Sequence, residues 1–261
     1  MNVYKKNSYM EEINKITSQN ELHISIAFHK DINLIEEIID KQFFIASTYF
    51  ISLTFRESDR KERNLLISAF VKNLYNIHCT LLLLKKGWYG SARILMRQCF
   101  EFLMIAKYSS ISKDLKLVNE WENGNKVWLK RDVFDKLSYP DTHQFKDLWG
   151  ALCKFSHATI YSQQQNLDWK DSVSDISSSF VFIEMFLECN HHLLCSHITE
   201  STMKYFVKRY GVAVGALNDI NETKKEIGIL FKHSKKKMKP DAKNFIRLYK
   251  SKWLIKKKYN S

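Results

Sequence analysis

The chain has 261 residues, 45% apolar and 26% charged, enough to bury the core of one large domain or two small ones. Lys and Arg outnumber Asp and Glu 41 to 28; the formal +13 favours polyanions as partners and says nothing about fold. Two prolines and seven glycines argue against strand-rich folds, which need frequent turn residues, and five scattered cysteines without a CxxC pair argue against a disulfide framework.

The N-terminal "MNVYKKNSYMEEINKI" lacks the apolar run of a secretion signal. The apolar stretch "FFIASTYFISLTF" (43–55) has 13 residues, against about 20 needed to span a bilayer. The expectation is a cytoplasmic protein with no membrane association.

In chain order, residues 1–30 read as a modest, mostly polar helix or two. From Asp31, a candidate N-cap, apolar residues recur at helical spacing through Phe55. The aromatic and β-branched residues of 43–55 would also suit a strand, but their length and flanks favour helix. A charged connector, "RESDRKERN", leads into a helix capped near Ser58 or Asp59 that stops at Gly87 after two lysines. "GWYGS" makes a turn, and a further helix follows from about Ser91. So short a connection predicts an antiparallel helical hairpin over residues 59–110.

After "SSISKD", with Ser112 or Asp114 as cap, one helix is expected through "LKLVNEWENGNKVWLKRDVFDKL", with a break allowed at Gly124. A loop around Pro140 precedes the amphipathic helix "FKDLWGALCKFSHATIYS", and "VSDISSSFVFIEMFLECNHHLLCSHI" forms another long one. The expected fold is all-α, a multi-helix bundle with long antiparallel helices. Residues 1–230 are read as a single domain and 231–261 as a basic helical extension.

The helix "ARILMRQCFEFLMIAKY" (92–108) poses the sharpest question. It is apolar on most sides, as buried helices are, yet Arg93, Arg97 and Glu101 recur at four-residue spacing along one stripe. An Arg97–Glu101 pair has the less favoured order, because Glu before the cation is better, so local helix support explains it poorly. A buried ion pair also costs desolvation. The stripe is therefore either a structural pairing or the lining of a polar cleft. His157 is the candidate partner, being followed by Thr159, Tyr161 and Ser162 and preceded by Lys154. A histidine can move protons, and a guanidinium can stabilise phosphate-centred charge.

Glu188 and His191 form one Glu-x-x-His, and Glu184 shares their face. Di-metal bundles need a second such motif, which does not occur here, so a single-metal site is the weaker reading and a polar seam between helices the stronger. The lysine-rich runs 232–239 and 250–258 are either solvated faces or phosphate contacts. No P-loop, dinucleotide fingerprint, G-x-S-x-G or H-E-x-x-H is present, and no cofactor is expected.

The segments "LLLLKKGWYGSARILMRQCFEFL" (81–103), "EWENG" (120–124) and "LWGALCKFSHATIY" (148–161) resemble a family of bacterial all-helical proteins of the HEPN-like kind. That resemblance implies a helical bundle, frequently a homodimer, in toxin–antitoxin, abortive-infection or phage-defence settings. Active members are metal-independent ribonucleases that use an Arg followed, about five to seven residues later, by a His. No arginine in this chain has a histidine at that spacing, and Lys72 with His78 is the nearest approach. On this reading Arg97, Glu101 and His157 form the catalytic set, and Arg93, Lys154 and Tyr161 bind an RNA substrate. The rival reading is a non-catalytic module that binds nucleic acid or a protein through the basic tail.

Overall fold

The computed structural model describes residues 6–53, 60–112, 115–136, 142–156 and 169–197, with positions 222, 223, 225, 226 and 229. Its α-helices are α1 (Lys6–Ala27), α2 (His29–Leu53), α3 (Arg60–Lys85), α4 (Tyr89–Ser112), α5 (Leu115–Glu122), α6 (Thr142–Ser156) and α7 (Trp169–His197). A π-helical turn, Leu129–Phe134, lies between α5 and α6, and no strand occurs among the described residues. The fold is an all-α multi-helix bundle, as the scarcity of turn residues implied. Residues 231–261, the proposed basic extension, lie outside the described residues, as do Ser58, Asp59, Asp114 and Pro140.

The antiparallel pair α3–α4 forms the centre; α7 crosses both helices, α2 lies on α3, and α6 lies on α4. Gly87 ends α3 at φ +80°, with its N–H donating to the Leu84 carbonyl at 3.0 Å and Trp88 N–H to Leu83 at 2.9 Å. This is a Schellman closure, in which a residue in the left-handed region satisfies the last carbonyls, and glycine adopts that conformation without strain. The turn is shorter than "GWYGS", so α4 starts at Tyr89 rather than Ser91.

Two expectations about helix boundaries change. Asp31 is no N-cap, because α2 begins at His29. Phe28 is the one residue between α1 and α2, and its N–H still reaches the Ile24 carbonyl at 2.9 Å. Asp31 therefore sits in the first turn, where a carboxylate suits the positive end of the helix dipole. The single helix expected beyond residue 115 is two pieces. Gly124 at φ +73° closes α5 with a second Schellman motif, its N–H bonded to Trp121 and that of Asn125 to Glu120. The chain restarts in the π turn, where Trp128 N–H donates to Asp132 Oδ2 at 2.8 Å and Asp132 N–H returns to the Trp128 carbonyl at 2.7 Å. Arg131 donates twice to the same carboxylate and holds it below the usual carboxylate range.

The apolar character of α4 also does not bury it on all sides. Ala92, Met96, Cys99, Phe100 and Leu103 face the core, while Ile94 is 42% exposed. Among the described residues, the helical segment long and apolar enough to cross a bilayer by composition is Asn64–Lys85 in α3, and 61% of its apolar window is buried inside the bundle.

The interior holds a polar layer. Gln42 of α2 donates to the Leu187 carbonyl of α7 at 2.9 Å, and Asn73 of α3 donates to Asn190 Oδ1 of α7 at 3.3 Å. All three amide side chains are fully enclosed. On the outside of α2, Lys41 binds Glu37 at 3.0 Å, Glu222 at 3.5 Å and Glu226, fastening positions 222 and 226 to the bundle. Burial lowers the Lys41 pKa, but hydrogen bonds to Glu226 and Glu37 outweigh it and raise it above the ordinary lysine value.

Candidate functional site

The amphipathic pattern of α6 decides what meets the charged stripe of α4. Leu148 and Leu152 are buried, and Trp149 and Cys153, one turn apart, are turned to the edge of that contact. Trp149 packs against Phe134 at 6.1 Å between ring centroids, and Phe134 against Phe100 at 6.4 Å. This run of rings joins α4, the π turn and α6, and fixes where the indole N–H points.

That N–H donates to Glu101 Oε1 at 3.0 Å, and Arg97 Nε donates to the same oxygen at 2.9 Å. One carboxylate oxygen thus serves two donors from two helices. The misordered pair is explained: Glu101 is placed for Trp149 as much as for Arg97. A half-buried indole needs an acceptor, and a charged one gives a stronger hydrogen bond than a neutral one. The seam is not closed, since the Arg97 and Glu101 side chains keep 25% and 28% of their surface. At this exposure the ion pair itself contributes little, about 0.3–0.5 kcal/mol.

Cys153 borders the same charges. Burial pushes its thiol pKa up, the Arg97 guanidinium pulls it down and Glu101 pushes it up again, with a net rise. It stays a thiol at neutral pH. Arg93 lies half-buried one turn before Arg97 and has interactions of its own, and Lys154 stands exposed in the last turn of α6. The structure therefore brings Arg97 and Glu101 together, with Arg93 on the same helix and Lys154 on the helix that meets it. His157 and Tyr161 lie outside the described residues, because α6 is described as far as Ser156.

Trp149 is the site residue that sequence reasoning missed. Its signal was present in "LWGALCKF", where Trp149 and Cys153 recur one turn apart beside a Leu148–Leu152 stripe. Glu184 and His191 are buried in α7, and both are engaged in interactions. No group of three His, Cys, Asp or Glu that would hold a metal assembles among the described residues, so Glu188 and His191 gain no third ligand there.

No protein-family model matches the chain, nor does any curated protein or solved structure.

Proposed function

We propose that this is an RNA-binding helical protein of the HEPN-like kind, acting in bacterial defence or stress response, with the α4–α6 seam as its phosphate contact. The observation that supports this most is a guanidinium held in place yet open to solvent. Glu101 and Trp149 fix the Nε side of Arg97, and a quarter of the side chain stays accessible. Arg93 and Lys154 add two further cationic side chains to the helices that form the seam. A preorganised arginine loses less entropy on gripping a phosphate than a free one does.

In its catalytic form the reading makes the protein a metal-independent ribonuclease. Arg97 holds the phosphodiester, Glu101 orients Arg97, and His157 moves the proton. Lys154 and Tyr161 add binding contacts. The test is a binding and cleavage assay on a short single-stranded RNA. Arg97→Ala should weaken binding, and His157→Ala should abolish cleavage while leaving binding intact. Full retention of both activities in Arg97→Ala would contradict the reading.

The indole bond also supports a second reading, because an acceptor shared with Trp149 makes a good clamp between helices. On that reading the seam is structural, and the lysine-rich residues 232–258 carry polyanion binding. Truncation after residue 231 then removes RNA affinity, and Arg97→Ala leaves it unchanged.

A further inference from the structure

The enclosed layer between α2, α3 and α7 has hydrogen-bonding capacity left over. A side-chain amide offers one acceptor oxygen and one donor nitrogen. Gln42 uses its nitrogen on the Leu187 carbonyl, and Asn73 uses its own on Asn190 Oδ1. Gln42 Oε1, Asn73 Oδ1 and Asn190 Nδ2 then have no partner among the described residues, and all three side chains are shut off from solvent. Enclosed polar atoms left bare keep their full desolvation cost, so protein interiors pair them, with ordered water where no protein group reaches. The three atoms belong to one small region of the core. Leu187 and Asn190 are neighbours on one face of α7, about 4.5 Å apart along its axis. Each bare oxygen shares its carbon with the nitrogen that grips one of those two residues, and Asn190 Nδ2 shares its carbon with the gripped oxygen.

We propose that this layer is the binding site of one structural water, which donates to Gln42 Oε1 and Asn73 Oδ1 and accepts from Asn190 Nδ2. The count of donors and acceptors selects the ligand. Two bare acceptors and one bare donor match a molecule with two hydrogens and a lone pair. An ammonium ion has no lone pair for Asn190 Nδ2, a metal cation has no use for an N–H, and an anion has nothing for the two oxygens. Water held by about three hydrogen bonds is also the ligand that close-packed interiors accommodate. With it the network is satisfied at every atom, and one molecule fixes the register of α2 and α3 on α7. None of these residues belongs to the Arg97–Glu101–Trp149 seam, so the site stands apart from the RNA reading.

The test uses the full chain, labelled with heavy nitrogen, and water itself as the probe. Nuclear Overhauser spectra selective for water should show a cross-peak to the Asn190 side-chain amide, which is assigned by its loss in Asn190→Leu. That cross-peak should change sign between the laboratory-frame and rotating-frame experiments, the mark of dipolar contact with a held water. The same sign in both marks hydrogen exchange and overturns the inference, as does the absence of any cross-peak. These outcomes are read on the wild-type chain, so they stand whether or not a core variant folds. In the triple variant Gln42→Leu, Asn73→Leu, Asn190→Leu, apolar side chains replace every partner, which removes the reason to hold water. Magnetic relaxation dispersion of the solvent should then count one long-lived water fewer than in the wild type. An unchanged count in the folded variant overturns the inference.

Discussion

The bundle makes polar contacts between helices in two ways. Between α3 and α7, Asn73 and Asn190 meet with no surface left to solvent. Between α4 and α6, Arg97, Glu101 and Trp149 meet with about a quarter of the ion pair still wet. The chemistry is alike, a side-chain donor on one helix and an acceptor on the next, but the consequences differ. An enclosed amide that loses its partner keeps its full desolvation cost, whereas an open one recovers water. The enclosed layer serves stability and register. The open seam can serve binding, because removing one of its members costs the fold little.

The largest effect is expected inside. Asn190→Ala leaves Asn73 Nδ2 without its acceptor and opens a cavity, for a loss of about 2–4 kcal/mol by urea titration. The Asn73→Ala, Asn190→Ala double variant should cost less than the sum of the singles, since the pair is lost once. Additive costs would show that the two amides do not act together.

The two helix-ending glycines repeat the contrast. A Cβ at Gly87 would come within 2.5 Å of Asn20 Nδ2, whereas one at Gly124 meets nothing within 4 Å. Both sit in the left-handed region, so alanine at either costs about 1 kcal/mol from the backbone alone. Gly87→Ala should exceed that, at about 2 kcal/mol in total, because Asn20 is buried and must shift. Equal losses for Gly87→Ala and Gly124→Ala would mean that Asn20 moves aside freely.

On the open side, Trp149→Phe removes the indole donor and keeps the ring, for about 1 kcal/mol. Arg97→Ala should cost less than about 0.5 kcal/mol. A larger loss from Arg97→Ala than from Trp149→Phe would make the seam a structural clamp.

The smallest prediction concerns a third cation on α4. Lys107 is partly buried, and burial lowers its pKa against a weak opposing effect of Cys189. Below the folded-state pKa both states carry the proton, and the cost of burying the charge is fully present. As pH rises through that pKa the folded state sheds the proton while the unfolded chain keeps it, so stability rises until the ordinary lysine pKa of about 10.4. Lys107→Met should therefore stabilise at neutral pH, by an amount that shrinks as pH climbs through that window. A gain independent of pH would assign the effect to packing alone.

The fold was largely legible in the sequence, because apolar spacing and glycine punctuation are local signals. Gly87 ended α3 where the two preceding lysines and the glycine said it would. Gly124 was visible as a break, but the π turn after it depends on the reciprocal bonds of Trp128 and Asp132, which composition does not reveal. Asp31 misled because a nearly unbroken α1–α2 junction leaves it no terminus to cap. The stripe on α4 was legible as a problem that needed a partner. The identity of that partner was not, since Trp149 is chosen by the packing of Phe100, Phe134 and α6 rather than by its own neighbours in sequence. His157, the expected partner, falls outside the described residues.

The central claim is that Arg97 stands ready for a phosphate. It is tested most directly by the salt dependence of affinity for a short single-stranded RNA, measured for the full chain, for Arg97→Ala and for the chain truncated after residue 231. Each phosphate contact to a single strand contributes about 0.7 to the slope of log affinity against log salt. The account predicts that Arg97→Ala lowers the slope by about that amount in both the full and the truncated chain, with little change in thermal stability. An unchanged slope in Arg97→Ala, together with its collapse on truncation, would contradict the account and move the polyanion site to the tail.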